Sequence, residues 1–434
     1  MRPTRATIAL LALWGLAGLA IPLAGLATLH WLWAGGVLGF ALLLDAVALS
    51  RQPSPAFERQ MPAVLPLGPW ASVTLRLSNT ARGALRGTLH DGHPGDWAVE
   101  DQPRRLSIAA REVLELAYRT LPPRRGEAAF EPAWWRQVST LRLWTQTRRL
   151  GTTTPVRVFP NFAPLAGLAL HTAEQATRMT GAHLARRRGD GTEFHQMREY
   201  RTGDSLRQID WKATARARRL ISREYQEEKN QRVTLLLDCG RRLLAEDGGL
   251  THFDHALNAA LLVAYTALRQ GDAVALQTFG AVDRSVPPVR GVGGLDALVE
   301  ATFDVQPAPV AADYLEAARR VLAQNARRSL VLVITNVRDE DADDLLAGLE
   351  LLQRRHLVCV ASLRESALDA AMAAEPARFE DALRLGATQQ YLASRKRAHA
   401  QLRARRIDVL DVRCEQLPAA LVQHYLAIKR AGRL

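Results

Sequence analysis

The sequence predicts a multi-domain fold: an α-helical transmembrane hairpin, then a small antiparallel β-sandwich, then a doubly wound α/β domain. Three observations predict it. No Asp, Glu, Lys or Arg occurs in residues 6–44, segments of alternating apolar and polar residues fill residues 71–160, and beyond residue 231 short apolar strands alternate with amphipathic helices. At 434 residues the chain exceeds the length over which one core keeps growing, so several domains are expected.

The uncharged run near the N-terminus is roughly twice as long as one membrane crossing needs, so we expect it to turn back once, between residues 25 and 30. Arg2 and Arg5 precede the run and Arg51 follows it, while the turn carries no Lys or Arg. The positive-inside rule then puts both ends in the cytoplasm of a bacterium, with residues 1–50 in the inner membrane. A cleaved signal peptide is the main alternative, although its apolar core would be only about 7–15 residues long.

Small residues let membrane helices approach closely, and the uncharged run contains several of them. The glycines expected to allow this close approach are Gly15, Gly18, Gly35, Gly36 and Gly39.

Composition divides the remaining chain into five segments. Residues 51–70 carry five prolines and are predicted to be an extended linker. Period-two patterning predicts the β-sandwich over 71–160, and an Ala-rich stretch over 161–190 is interpreted as a connector. A charged segment follows at 191–231, and residues 232–434 have the strand–helix alternation of βαβ units.

The charge balance is basic: 57 Lys and Arg against 44 Asp and Glu give a net charge of +13. This balance suits anionic lipid, nucleic acid or an acidic protein partner. No aromatic-interleaved basic stripe accompanies the charge, so a basic surface on a membrane protein is the favoured interpretation and nucleic acid is the weaker one. Cys239, Cys359 and Cys414 have no CxxC spacing, which argues against a zinc site and against a disulfide framework.

The charged segment interleaves acidic residues with arginines, and Gly203 before Asp204 indicates a tight turn. Forked guanidinium–carboxylate pairs could fix it against neighbouring domains. We therefore expect Arg207, Asp210 and Trp211 to be partly buried.

The pattern G-x-E-F-x-x-M-R-E-Y-x-x-G-D-x-x-R-x-I-D-W-x-x-x-A-R in this segment resembles the hallmark of domain-of-unknown-function family 58 (DUF58). The resemblance implies that the α/β domain is von Willebrand factor A-like and that the protein's partner is a MoxR-type AAA+ ATPase; the family has no assigned reaction. The hallmark and expected interaction residues are Gly191, Glu193, Phe194, Arg198, Tyr200, Gly203, Asp204, Arg207, Ile209, Asp210, Trp211, Ala215 and Arg216.

The same resemblance raises the question of a metal site, because von Willebrand factor A domains hold a divalent cation with D-x-S-x-S and later oxygen ligands. Here the first motif is Asp238-Cys239-Gly240-Arg241-Arg242, and Thr335-Asn336 stands where Thr-Asp-Gly is common. The site around Asp238, Thr335 and Asn336 is therefore degenerate, and we expect no metal and no cofactor.

Other catalytic motifs are absent from the sequence: it has no phosphate loop, no HExxH, no GxSxG and no dinucleotide-binding GxGxxG. His252, Asp254 and His255 cluster at a predicted helix start, where capping or surface roles are favoured over catalysis.

The leading hypothesis is therefore a non-enzymatic, membrane-anchored adaptor with no small-molecule substrate, which docks an ATPase or client protein through the α/β domain and the hallmark. The alternatives are a metal-dependent enzyme or binding site at the sheet edge, and an arginine-rich module that binds anionic lipid or nucleic acid.

Overall fold

The computed structural model describes residues 1–23, 28–162, 193–201, 206–226 and 231–433. The predicted connector at 161–190 falls almost entirely outside these residues. The chain divides into two compact units, Met1–Phe159 and Pro160–Leu434.

The first unit begins with two long helices, α1 (Arg5–Leu23) and α2 (Thr28–Arg51). By length and composition, the part of α2 from Leu29 to Arg51 could cross a membrane, whereas the apolar part of α1, Arg5–Leu19, is shorter. The turn predicted over residues 25–30 extends too far toward the C-terminus, because α2 already begins at Thr28.

The strands of the first unit form two largely antiparallel sheets. One sheet has the order β1-β10-β9-β11-β3, with β5 pairing β9 and β7, and the other has the order β2-β4-β8-β6. The strands are β1 Arg2–Pro3, β2 Ala56–Gln60, β3 Val64–Pro66, β4 Ala71–Ser78, β5 Leu85–Gly92, β6 Ala98–Glu100, β7 Arg104–Ile108, β8 Val113–Leu121, β9 Gly126–Val138, β10 Trp144–Leu150 and β11 Thr154–Phe159.

A buried polar group joins the two sheets. Arg59 on β2 reaches Asp91 on β5 with a nitrogen–oxygen distance of 2.5 Å, and the Tyr118 hydroxyl on β8 donates to the same carboxylate at 2.6 Å. Burial and the neighbouring Asp91 carboxylate raise the pKa of Tyr118, so the phenol remains a donor.

The predicted linker is wrong in part, because β2 and β3 lie inside residues 51–70 and belong to the sheets. β2 pairs with β4, and β3 pairs in parallel with β11. Pro55 and Pro62 lie outside the strands and Pro66 ends β3, positions where a missing amide donor interrupts no ladder.

The second unit begins with the hallmark segment, in which the hairpin β12 (Glu193–Glu199) and β13 (Ile221–Gln226) flanks the short helix α3 (Trp211–Ala217). A six-stranded sheet follows in the order β18-β17-β14-β19-β20-β21, parallel except for the edge strand β18. Its strands are β14 Arg232–Asp238, β17 Ala273–Phe279, β18 Ser285–Val289, β19 Leu330–Thr335, β20 Leu357–Arg364 and β21 Asp408–Arg413, and a small hairpin β15 Glu246–Asp247 and β16 Leu250–Thr251 lies apart from it.

Helices cover both faces of this sheet, as its continuous apolar strands require. Leu236 and Val333 lie in one cluster with residues of three helices, while successive side chains such as Leu235 point to the opposite face. The helices are α4 His252–Arg269, α5 Gly294–Thr302, α6 Tyr314–Gln324, α7 Ala342–Gln353, α8 Ser366–Ala373, α9 Phe379–Ala404 and α10 Leu417–Arg430.

Candidate functional site

The carboxyl edge of the parallel sheet holds the predicted oxygen ligands. Asp238 ends β14 and Thr335 ends β19, and both are fully buried. The Thr335 hydroxyl donates to Asp238 Oδ2 at 2.6 Å, the Tyr314 hydroxyl donates to the same oxygen at 3.4 Å, and the Gly240 amide donates to Oδ1 at 2.7 Å. Burial raises the pKa of Asp238, with the Thr335 and Gly240 hydrogen bonds opposing it. Protein donors therefore occupy both oxygens of this carboxylate.

Arg242, the last residue of the motif that begins at Asp238, pairs with two other carboxylates. It forms an ion pair with Asp341 at 2.6 Å and a second one with Glu340. Burial opposes the charged form, but these two carboxylates raise the pKa of Arg242. Gly240 is tightly enclosed, because a Cβ there would lie 2.8 Å from the Val310 carbonyl oxygen.

Asn336 belongs to a different network from Asp238 and Thr335. Its Oδ1 accepts a hydrogen bond from Arg395 at 2.6 Å, and its Nδ2 donates to Glu365 at 3.0 Å. Of the three candidate metal ligands, the structure brings Asp238 and Thr335 into contact and assigns Asn336 to an interaction with a buried arginine.

That arginine, Arg395 on α9, was missed by the sequence analysis. Its side chain is only 2% exposed, and its guanidinium donates to Ser362 Oγ at 2.6 Å, to the Leu363 carbonyl at 2.7 Å and to Asp411 at 2.9 Å. Burial opposes ionisation of Asp411, yet the His399 hydrogen bond and the Arg395 charge hold the pKa of Asp411 well below its ordinary value. Arg395 thereby ties together the ends of three strands of the sheet.

In the hallmark segment, Asp210 organises the local structure. It is the N-cap of α3, and its Oδ1 accepts from the Ala213 amide at 2.9 Å. Its Oδ2 lies 2.7 Å from a guanidinium nitrogen of Arg223 on β13. The Ala213 and Arg223 hydrogen bonds lower the pKa of Asp210, so one ionised carboxylate joins helix and hairpin.

The other hallmark residues divide by burial. Asp210 and Ile209 are buried, with Ile209 bridging Ser222, whereas Trp211 is 67% exposed, so the expected burial of Trp211 is wrong. The helix contacts the hairpin through Asp210 and through Thr214, whose hydroxyl oxygen accepts from the Ile221 amide at 3.0 Å, and Trp211 lies between them with its ring exposed. Arg198 and Tyr200 are half-buried, and Ala215 and Arg216 are exposed.

The remaining hallmark residues lie in strand β12, in a short 3-10 turn or outside the described residues. Gly191, Gly203 and Asp204 lie outside the described residues. The backbones of Glu193 and Phe194 form the first part of β12. Arg207 is described only as part of a short 3-10 turn, Leu206–Gln208.

At the start of α4, only Asp254 of the predicted polar cluster takes a capping role. Thr251 is the N-cap, and Asp254 completes a capping box with it. His255 Nε2 lies 2.9 Å from the Asp247 carbonyl oxygen. His252 is fully buried and has neither the capping nor the surface role that was predicted. The three cysteines are free and buried.

Comparison with known proteins gives one informative match. Residues 196–406 match the family described as "Protein of unknown function DUF58". No curated protein matches the chain significantly.

Solved structures give only weak similarities. The CARDB domain of a Pyrococcus furiosus protein in complex with di-metal ions is 15% identical over 25% of this chain and 90% of that one, with a TM-score of 0.19. Proximal thread matrix protein 1 of the mussel byssus is 7% identical over 47% of this chain and 46% of that one, with a TM-score of 0.26. A FixG-related protein from Vibrio parahaemolyticus is 10% identical over 25% of this chain and 98% of that one, with a TM-score of 0.18. Similarities at these scores carry no information about function.

Proposed function

Residues 196–406 of this chain belong to the DUF58 family, and from that premise we propose that the protein is a non-enzymatic membrane-anchored scaffold that docks a MoxR-type AAA+ ATPase. The hallmark segment is the docking surface in this proposal. The doubly wound unit is then a von Willebrand factor A-like domain, and its sheet order, with one antiparallel edge strand, is compatible with that assignment.

The observation that carries the proposal is the exposure of Trp211 on a helix that a buried carboxylate fixes. Trp211 is the first residue of α3, directly after the Asp210 cap. Leu206, 70% exposed, and Met197, 52% exposed, lie in the same segment. Exposed apolar side chains mark interaction surfaces, and tryptophan is among the residues enriched at binding hot spots.

The chemistry of the sheet edge favours a scaffold over a hydrolase. Both oxygens of Asp238 already accept hydrogen bonds from the protein, and burial raises the pKa of this carboxyl. A neutral or fully hydrogen-bonded carboxyl is a poor ligand for a divalent cation, which requires free oxygen lone pairs.

The anchor in this proposal is a hairpin of α1 and α2 in the inner membrane, with both ends and both soluble parts in the cytoplasm. Contacts within the first unit support it. β1 pairs with β10, Trp144 Nε1 donates to the Leu42 carbonyl at 2.9 Å, and the buried Asp45 accepts from the Leu141 amide at 3.2 Å. The start of α1 and the end of α2 are therefore held at the same sheet, as a hairpin requires.

Topology is tested with reporter fusions. A reporter at residue 434 should behave as cytoplasmic, and one inserted near His30 as external. A periplasmic reporter signal from residue 434 would contradict the orientation.

Docking is tested with the purified, detergent-solubilised protein and a purified MoxR-type ATPase from the same bacterium. Trp211→Ala should weaken binding by roughly ten-fold or more, the scale of a hot-spot truncation. Phe379→Ala is the matched control, because Phe379 is 77% exposed at the start of another helix. Equal affinity of the wild type and Trp211→Ala, or no binding of the ATPase by the wild type, would contradict the proposal.

A further inference from the structure

Three chemically different side chains meet beyond the carboxyl edge of the sheet. Asp247 comes from the β15–β16 hairpin, His252 from the first turn of α4, and Cys414 from the short 3-10 helix Cys414–Gln416 that follows β21. One ligand atom of each lies within 4.8 Å of the others. This group is separate from Asp238 and is used by neither the docking proposal nor the fold's capping boxes.

His252 is the most informative member. Its side chain is fully buried, yet neither Nδ1 nor Nε2 has a hydrogen-bond partner among the residues that the structure describes. A buried imidazole normally donates from one nitrogen and accepts at the other, because an unpaired buried polar atom costs free energy. Because His252 lies beside a thiol and a carboxylate, a cation bound among the three side chains would complete its bonding.

The two other side chains are held in place around His252. The Ser366 hydroxyl donates to Asp247 Oδ1 at 2.6 Å and the Ser366 amide donates to Oδ2 at 2.9 Å, which fixes the carboxylate. Cys414 is buried, with its sulfur 3.9 Å from the Arg364 carbonyl. Support of this kind, from outside the ligand set, is the usual means of orienting metal ligands.

We propose that Asp247, His252 and Cys414 bind a Zn²⁺ ion. Thiolate, imidazole and carboxylate are the three ligand types that Zn²⁺ takes in proteins. In a tetrahedral site their atoms stand about 3–4 Å apart, so the observed group needs to contract by about 1–2 Å at most. A thiolate and a carboxylate also neutralise the ion's two positive charges, which suits a buried site.

Binding of the ion would deprotonate the thiol and leave the imidazole neutral. Burial and the Asp247 and Glu365 carboxylates raise the pKa of Cys414 to about 12. Burial also lowers the pKa of His252, which keeps the imidazole neutral and able to ligate. A bound divalent cation reverses the effect on the thiol, because coordination removes its proton outright.

Such an ion would clip together parts of the chain that are far apart in sequence. Gly248 and Gly249, both with positive φ, form the turn of the β15–β16 hairpin that carries Asp247. The ion would tie this hairpin and the start of α4 to the segment after β21. The sequence predicts no zinc site at any of the three cysteines, and the proposal departs from that prediction at Cys414 only.

Cobalt substitution of the full-length, detergent-solubilised protein tests the proposal. After chelator treatment and buffer exchange, Co²⁺ should bind at one equivalent per chain and give a thiolate-to-cobalt charge-transfer band in the ultraviolet, which Zn²⁺ should abolish by displacement. A cation held by the oxygens of Asp238 and Thr335 would give no such band, because neither residue supplies a thiolate. Absence of the band in the wild type overturns the proposal without recourse to any variant.

Variants assign the ligands. Cys414→Ser should abolish the band, and Asp247→Asn, which keeps an oxygen for Ser366, should weaken Zn²⁺ binding by about ten-fold or more, since loss of even an outer partner costs 10–100-fold. Cys359→Ala is the matched control, a buried free cysteine on β20 outside the group, and should keep the band. Retention of the band in Cys414→Ser, or its loss only in Cys359→Ala, overturns the proposal. If Cys414→Ser does not fold by circular dichroism, unchanged Zn²⁺ affinity in Asp247→Asn overturns it instead.

Discussion

Trp14 on α1 and Trp31 on α2 stack face to face, with ring centroids 4.3 Å apart and planes 4° apart. Each ring also lies over a glycine of the other helix: a Cβ at Gly35 would be 2.6 Å from the Trp14 ring, and a Cβ at Gly18 would be 2.7 Å from the Trp31 ring. Trp31 Nε1 donates to the Trp14 carbonyl at 3.0 Å. Gly18 and Gly35, two of the five glycines predicted to let the helices approach, are thus positions of close contact.

Replacing Gly35 should therefore disturb the helix pair, whereas replacing its neighbour should not. Gly35→Ala forces the Trp14 ring to move, and overpacking of this kind costs about 1–3 kcal/mol. Gly36→Ala is the control, because no atom lies within 4 Å of a Cβ there. We expect a lower Tm and a changed near-ultraviolet circular dichroism signal for Gly35→Ala only. Identical spectra for the two variants would contradict the stacked arrangement.

Arg395→Ala should be strongly destabilising. It leaves Asp411 and the buried oxygen of Asn336 without their cationic partner, and breaking a buried ion pair from one side costs about 3–5 kcal/mol. Arg397→Ala, two residues along the same helix, removes an exposed arginine and should change stability by no more than about 0.5 kcal/mol. Chemical denaturation of both variants measures the difference, and equal midpoints would show that the Arg395 network contributes little.

The Asp411 carboxyl predicts a pH dependence with a definite sign. Its pKa in the folded state lies below the ordinary value of 3.8, so it stabilises the fold above about pH 4 and the contribution is lost as the pH falls further. Below that pH the unfolded state binds one more proton at this residue, which gives a slope of up to about 1.4 kcal/mol per pH unit. Asp411→Asn should show a shallower loss of stability between pH 4 and lower values. If the stability of the wild type and of Asp411→Asn falls equally as the pH is lowered, Asp411 is not the source of the pH dependence.

Asp238 is the position to test for divalent cation binding at the sheet edge. Because a ligand selective for the folded state must raise Tm, titration of Mg²⁺ or Mn²⁺ into the solubilised protein should leave Tm unchanged if Asp238 is occupied by protein donors. A saturable rise in Tm that disappears in Asp238→Ala would restore the metal site and favour the metal-dependent alternative.

The α/β elements could be predicted closely because their signals are local. The strands RVTLLLD and AVALQTF are continuous apolar runs, as a sheet covered on both faces requires, and both lie within residues 232–434, where strand–helix alternation was predicted. The strand Ser285–Val289 was missed because Pro287 and Pro288 argue against a strand, and it is tolerated as an antiparallel edge. The hydrophobic pattern therefore predicts the buried strands but not this edge strand.

The polar sites depend on contacts between distant residues and could not be predicted in the same way. Nothing in the helix around Arg395 distinguishes this arginine from its exposed neighbours, since its partner Asn336 is 59 residues away. Asp247 and Cys414 likewise have no motif spacing. The expectation that Asp210 is buried is confirmed, but the hallmark pattern gave no sign that its neighbour Trp211 faces solvent.

Asp210 makes two kinds of interaction, a helix cap and an ion pair, and two substitutions separate them. Asp210→Ala removes both the acceptor for the Ala213 amide and the partner of Arg223, whereas Asp210→Asn keeps an oxygen for the cap and loses only the charge. We expect Tm to fall in the order wild type, Asp210→Asn, Asp210→Ala. Because Arg223 is 46% exposed, salt should narrow the difference between the wild type and Asp210→Asn.

Asp313 supplies the matched control for this experiment. It caps α6 by accepting from the Glu316 amide at 2.8 Å, and no ion pair of Asp313 occurs within the part of the chain that the structure describes. Asp313→Asn loses the interaction of the charge with the helix dipole but no ion pair, so its effect on Tm should depend less on salt than that of Asp210→Asn. If Asp210→Asn behaves in the same way, Arg223 adds no stabilising ion pair and Asp210 acts only as a cap. If Asp210→Ala leaves Tm unchanged but abolishes ATPase binding, Asp210 is itself part of the docking surface and does not hold α3 against the hairpin.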